Sequence, residues 1–480
     1  MEKNVTQNKM GLVPIKRLMV SMGLPMILSM VVQAFYNIVD SYFVSNMQDG
    51  SGIENIGDYA INALTLSFPI QILIIAVGVG TGVGINALLS RSLGQGDHKK
   101  ASIIAGNGIF LGICTYIVFL IFGIFGVEVF FRTQTSDPII IQMGIDYLTI
   151  CSTLSFGAIG FMIYEKLLQS TGKTMASTIA QLLGAVVNIV LDPILIFGYL
   201  GFPTMGVTGA AIATVAGQIF SLLLGMFFHY CHNLEINGNI HYIKPVPETI
   251  KEIYKIGAPA ILMQALMSIM AYGINIIFDM LSVSAVTAFG IYYKIQQFVF
   301  FAAFGINNAL IPIIAFNYGK RDEHRVKDGI KYGLIYTLVL MLAGAVLLQA
   351  FATPICNIFS LSDEVLELTV QAIRIVTLGF IFAGANIVFQ GTFQALGNGM
   401  NSLWLSLIRL IIATLPLAYF LSLLPDASNL IWLCFPIAEA CGFLVGFLIL
   451  RHELKYKVSQ LSNSISDVLF KSEEVLGFDN

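Results

Sequence analysis

At 480 residues the chain would make about three soluble domains, yet 56% of it is hydrophobic and only 11% charged, against about 25% charged in an ordinary soluble protein. No water-facing surface can be built from that composition, so the chain reads as a polytopic membrane protein. A net charge of −3 with no long Lys/Arg block excludes a grip on nucleic acid, and six scattered cysteines without a C-x-x-C pair argue against a metal or redox cluster.

A helix needs about 20 apolar residues to cross the hydrocarbon, and twelve such runs are present: 17–44, 59–88, 102–126, 140–165, 174–198, 207–231, 251–281, 285–316, 328–352, 368–395, 402–424 and 429–450. Each must be helical, because lipid offers no water to an open backbone polar group. The predicted fold class is therefore all-α, with twelve transmembrane helices in two pseudo-symmetric six-helix bundles. The first run lacks a small-residue cleavage pattern and is expected to be a retained anchor rather than a signal peptide.

Polar residues inside these runs call for a reason, since a carboxylate near the bilayer centre costs roughly 2.5–3.5 kcal/mol on insertion scales. In the first span Gln33, Tyr36, Asn37 and Asp40 stand at i, i+3, i+4 and i+7, on one face. The glycines of the second span (Gly78, Gly80, Gly82, Gly84) suit close helix packing, and Gly94-x-Gly96 after it is no nucleotide loop, since no strand precedes it. Glu165 and Lys166, at the inner end of the fourth span, are expected to be solvated.

The fifth span carries Gln181, Asn188 and Asp192 on one face, and the sixth Ala210, Thr214 and Gln218. Counted from the outer ends, Asp40, Asp192 and Thr214 share one depth. Pro193 has no N–H, which frees the Ile189 carbonyl beside Asp192. Two carboxylates, an amide, a hydroxyl and a free carbonyl make an oxygen-rich pocket suited to a proton or a hard monovalent cation. The competing reading is structural: Asp40 snorkels to the interface and Asp192 caps a kinked end. In the second half Lys294 and Glu439 are secondary candidates, a structural role for each being at least as natural, and Arg374 and Arg409 are explained by snorkelling or local pairing. The Phe and Met residues of that half, among them Met263, Met267, Met270, Phe298, Phe300, Phe301 and Phe304, read as core or lipid-facing material, the alternative being the adaptable contact surface that methionines give to varied ligands.

Orientation follows from the short loops. One set holds 21 of the 25 Lys and Arg residues, the alternate set Arg132 alone together with Asp49, Glu54, Asp58, Asp137, Asp363, Glu364 and Asp426. Both termini are expected to be cytoplasmic, in the cell membrane. The chain also repeats itself at an offset near 225: Leu93-Gly94-Gln95-Gly96-Asp97 falls on Tyr318-Gly319-Lys320-Arg321-Asp322, Gln169-Ser170-Thr171-Gly172 on Gln394-Ala395-Leu396-Gly397, and Gln71 on Gln296. With nine more residues of shift, Gly23-Leu24-Pro25 meets Gly257-Ala258-Pro259. The expected organisation is a cytoplasmic segment 1–16, a first lobe 17–232, a linker 233–250, a second lobe 251–452 and a cytoplasmic tail 453–480. Two parallel six-helix repeats suit a carrier that alternates access.

These residues resemble the multidrug and toxic compound extrusion (MATE) transporters: Gly23-Leu24-Pro25, Gln33-x-x-Tyr36-Asn37-x-x-Asp40, Leu93-Gly94-Gln95-Gly96-Asp97, Leu168-Gln169-Ser170-Thr171-Gly172 and Asn188-Ile189-Val190-Leu191-Asp192-Pro193, over nearly the whole chain. The resemblance implies efflux of small amphiphilic organic cations by antiport with H⁺ or Na⁺, and no enzyme activity. In the DinF-like subgroup it implies a cation site at Asp40, Asn188, Asp192, Ala210 and Thr214, where Asp40, Asn188, Asp192 and Thr214 are the expected ligands if the cation is Na⁺; Gln33, Tyr36, Asn37 and Gln181, on the polar faces of the first and fifth spans, are the expected substrate or proton network. NorM-like members use carboxylates of the seventh and tenth helices; the tenth span here has none between Arg374 and Gln394, which puts coupling in the first half. Expected partners are the organic cation and membrane lipid, with no cofactor beyond the coupling ion and a monomeric state. The rival readings are a lipid-linked sugar flippase or metabolite exporter of the same superfamily, and an intramembrane enzyme. The flippase would need more basic residues in its cavity to meet a pyrophosphate. The enzyme lacks a nucleophile and base pair.

Overall fold

The computed structural model describes residues 8–47, 56–359 and 361–461; the outer-loop Asp49 and Glu54 and the tail beyond 461 lie outside the described residues. Among these residues there is no strand. Eleven helices are long and apolar enough to cross a membrane, and one bent pair completes twelve. The first half runs α1 (Ile15–Ser45), α2 (Ile56–Gly94), α3 (His98–Phe125), the short α4 (Val127–Gln134), α5 (Pro138–Thr153) with α6 (Phe156–Ser170), α7 (Thr174–Phe197) and α8 (Gly206–His232). The second half runs α9 (Pro247–Asp279), α10 (Val283–Gly319), α11 (Glu323–Asn357), α12 (Asp363–Val376) with α13 (Phe380–Ala395), α14 (Gly399–Leu407) with α15 (Thr414–Ser422), and the short α16 (Ala427–Leu430) with α17 (Cys434–Glu453).

Each predicted span lies on one of these helices or on one broken helix. The fourth, expected to be continuous, bends by 41° between α5 and α6. Its start is set locally: the Asp137 carboxylate accepts from the Ile139 and Ile140 amides at 2.8 and 3.3 Å, and Pro138 needs no partner in the first turn. The eleventh span passes through a π turn, Ile408–Ala413, between α14 and α15.

The internal repeat reappears in the backbone. Asp97 N–H donates to the Ser92 carbonyl at 3.0 Å and Asp322 N–H to that of Asn317 at 3.0 Å; Lys173 N–H donates to Leu168 at 2.8 Å and Asn398 N–H to Phe393 at 2.7 Å. Gly172 and Gly397 both turn through the left-handed region, at φ 80° and 81°, as do Gly96 at 76° and its repeat partner Arg321 at 62°. Arginine pays for that conformation with a Cβ clash that glycine escapes.

The helices cluster into two compact units. One holds Leu28–Leu89 and His98–Gly257, the other Thr6–Ile27, Ser90–Asp97 and Ala258–Asn480. Helix α1 is thus divided near Ile27. Its N-terminal part packs in the second unit, where a Cβ on Gly23 would stand 2.7 Å from the Ile306 side chain and Arg325 donates to the Met10 and Val13 carbonyls, each at 2.8 Å. The crossing of α2 and α10 belongs to this unit too. A Cβ on Gly94 would lie 1.9 Å from the Phe316 carbonyl oxygen, and one on Gly319 2.1 Å from that of Arg91, so only glycine lets the two backbones meet.

Candidate functional site

In the first unit α7 and α8 lie unusually close. A Cβ on Gly184 would stand 1.8 Å from Ser221 Oγ and 2.6 Å from the Gly217 carbonyl oxygen, and a Cβ on Gly217 would be 2.6 Å from that of Gly184. Small residues let helix backbones approach in this way. The approach brings Asn188 of α7 against Thr214 of α8: its Nδ2 donates to Thr214 Oγ1 at 3.5 Å and to Asp192 Oδ1 at 3.3 Å. Asp192 is wholly buried, as is Ala210, and Asn188 is 3% exposed. Helix α7 runs on through Pro193 and ends in the left-handed cap of Gly198, so the Ile189 carbonyl lacks its usual helical donor.

Asp40 of α1 completes the group. It lies within electrostatic reach of Asp192, Tyr36 lies within reach of both carboxyl groups, and Tyr147 and Cys151 of α5 within reach of Asp40. Three buried oxygens here have no hydrogen-bond partner among the described residues: Asp40 Oδ1, Asn188 Oδ1 and Asp192 Oδ2. Each can only accept. An orphaned buried acceptor normally costs about 1–3 kcal/mol. Toward the C-terminal end of α1 from Asp40 lies an apolar cluster that includes Val44, Met47, Tyr147, Ile196, Val207 and Ala211.

A second polar layer lies toward the N-terminal ends of α1 and α7. Gln181 Nε2 donates to Gln33 Oε1 at 3.1 Å, and Ser29 Oγ donates to Gln181 Oε1. Gln181 thus joins α1 to α7 through side-chain hydrogen bonds. The side chain of Asn37 lies outside the described residues. Sequence reasoning missed Ser29, Tyr147 and the link from Gln71 Nε2 to the Tyr147 hydroxyl at 3.0 Å; a single tyrosine in an apolar run carries no periodic signal.

The secondary candidates are not brought together. Lys294 is exposed. Glu439 Oε2 instead accepts from Arg409 Nη1 at 3.1 Å and Asn386 Nδ2 at 2.7 Å, a local pairing of the kind expected for Arg409. Lys166, expected to be solvated, is 4% exposed: its Nζ donates to Gln169 Oε1 at 2.8 Å and lies 3.9 Å from Glu165 Oε2, because the neighbouring turn supplies acceptors that let the cation be buried.

The profile of the family described as MatE matches residues 25–194 and 259–420, more than half of the chain. The chain belongs to the MatE family. The first of the two matched blocks contains Asp40, Asn188 and Asp192. Among relatives, the multidrug export protein MepA of Staphylococcus aureus (strain MRSA252) is 25% identical over 460 residues, 93% of this chain and 97% of that one. The protein of that name in Staphylococcus haemolyticus (strain JCSC1435) is 25% identical over 438 residues, 91% and 94%. Among solved structures, a multidrug resistance MATE family transporter of the MOP superfamily in its outward-facing conformation matches with TM-score 0.87, 23% identity and coverage of 96% and 100%. A MOP superfamily transporter from Pyrococcus furiosus matches with TM-score 0.83, 23% identity and coverage of 96% and 100%. This MatE-family chain shares their fold and is a multi-pass membrane protein.

Proposed function

We propose that the chain is a multidrug efflux transporter of the DinF-like subgroup, which exports amphiphilic, mainly cationic compounds in exchange for H⁺ or Na⁺ by alternating access. Its place is the cell membrane, with both termini cytoplasmic. The observation that carries this reading is the set of three unpartnered acceptor oxygens on Asp40, Asn188 and Asp192, in a chain whose relatives are named multidrug export proteins. Two carboxylates in a poorly hydrated pocket are not expected to stay ionised together without a cation. Asp40, Asn188, Asp192 and Thr214 would hold that cation, with Ala210 beside them. Neutralising the pocket would let α1 draw toward α7, pivoting on the Gln33–Gln181 contact, and so expel substrate. One charge moving inward gains about 2.3 kcal/mol per 100 mV, enough to bias such a shift.

A flippase of the same superfamily fits less well. Arg409 is engaged by Glu439, which leaves the pair no net positive charge to offer a pyrophosphate. A resistance and uptake panel of matched cationic, neutral and anionic amphiphiles tests the substrate class. Preference for the cations is expected; preference for the anions would overturn the reading and revive the flippase.

A further inference from the structure

The second unit contains a cavity that the coupling scheme does not use. It offers about 60 Å³ to water centres, room for several waters at roughly 10–15 Å³ each by that measure, or for one small fused-ring molecule. Its walls are thioethers and rings, with Met267, Met270, Tyr292, Phe300 and Phe435 prominent, and the Arg409–Glu439 pair stands on one side.

The cavity sits where the repeat places the counterpart of the first unit's polar pocket. Shifted by the offsets found in the sequence, Gln33 and Tyr36 correspond to Met267 and Met270, Gln71 to Gln296 and Thr214 to Glu439, and all four counterparts line the cavity. The carboxylates are not repeated: Asp40 corresponds to Ile274 and Asp192 to Leu417. The second half has thus kept the recess and exchanged its acceptor cluster for rings, sulfur and a neutral ion pair.

Arg409 supplies the recognition chemistry. It is 5% exposed, its Nη1 is held by Glu439, and its Nε is buried without an acceptor. It belongs to the π turn Ile408–Ala413, whose following residue Thr414 donates from Oγ1 to the Arg409 carbonyl at 2.6 Å. Such turns interrupt a helix and recur at functional positions. We propose that this cavity is a second small-molecule site, one that takes ring compounds of zero net charge presenting an oxygen acceptor to Arg409 Nε. The rings and methionines supply sequence-tolerant contact. A guest with net charge meets like charge in either Arg409 or Glu439, whereas a carbonyl oxygen satisfies the orphaned donor. The site stands whether or not the first unit couples a cation.

The chain has two tryptophans, and they allow a direct test. Trp432 is buried with its ring 6.4 Å from that of Tyr292 on the cavity wall, whereas Trp404 is 50% exposed. Trp404→Phe leaves Trp432 as the reporter. Purified protein is titrated with coumarin (uncharged, with a lactone carbonyl), coumarin-3-carboxylate (anionic) and N-methylquinolinium (cationic). Arg409→Met alone would strand the Glu439 charge, so Arg409→Met with Glu439→Met is used, since neutral replacement of a buried pair is usually tolerated; unchanged Trp432 emission reports its fold. The expected result is saturable quenching by coumarin, weaker binding of both ions, and about tenfold loss of coumarin affinity in the double variant. Quenching that never saturates, equal coumarin affinity in the folded double variant, or tighter binding of either ion would overturn the proposal.

Discussion

Asp192 has no water to turn to, and its Oδ2 has no donor among its neighbours. Asp192→Asn and Asp40→Asn therefore remove a charge without removing volume. Both variants are expected to insert and fold as the parent does, by size-exclusion profile and thermal midpoint, while losing ion-driven efflux entirely. Asn188→Ala and Thr214→Ala each remove one neutral ligand, about 1 kcal/mol, so efflux should fall roughly fivefold to tenfold and persist. The members of this cluster were legible in the sequence because a carboxylate or amide inside an apolar run costs energy and so announces itself. Tyr147, Ser29 and the Arg409–Glu439 pair were less legible. Their partners lie on helices distant in the chain, and no spacing rule links residues 30 or more apart.

At the scale of helices, the twelve apolar runs were readable because each must satisfy its own backbone in lipid. The break at Leu154 and Ser155 was not, since neither residue is a strong helix breaker. The close α7–α8 approach predicts that Gly184→Ala is costly: the new Cβ meets Ser221 Oγ and a backbone carbonyl. A loss of about 1–3 kcal/mol is expected, with efflux falling as Asn188 and Thr214 separate. A thermal shift of the size seen for an exposed Ala substitution would contradict the packing account. Conversely, Arg321→Gly relieves a left-handed arginine where the first repeat already uses Gly96. It should raise stability by up to about 1 kcal/mol, and a drop in thermal midpoint would show that the Arg321 side chain holds that turn.

On the scale of the whole molecule, the repeat was legible from Gly94, Gly172 and their partners because backbone turns and close approaches tolerate few residue types. The division of α1 near Ile27 was not, since a single apolar helix shows no sign of serving two units. The loop charges predict the topology. Reporter fusions at Asp49, Glu364 and Asp426 should read external and those at Lys99, Lys251 and Lys327 internal, and reversal at two of these sites would overturn it. The central claim is that the cluster of Asp40, Asn188 and Asp192 couples a cation to export. It is tested most directly in proteoliposomes, by substrate-evoked cation flux of the parent and of Asp192→Asn, with a proton gradient alone and then with a Na⁺ gradient. Flux driven by one of the two ions in the parent, and absent from the folded variant under both gradients, is the predicted result; wild-type flux in Asp192→Asn would place coupling elsewhere.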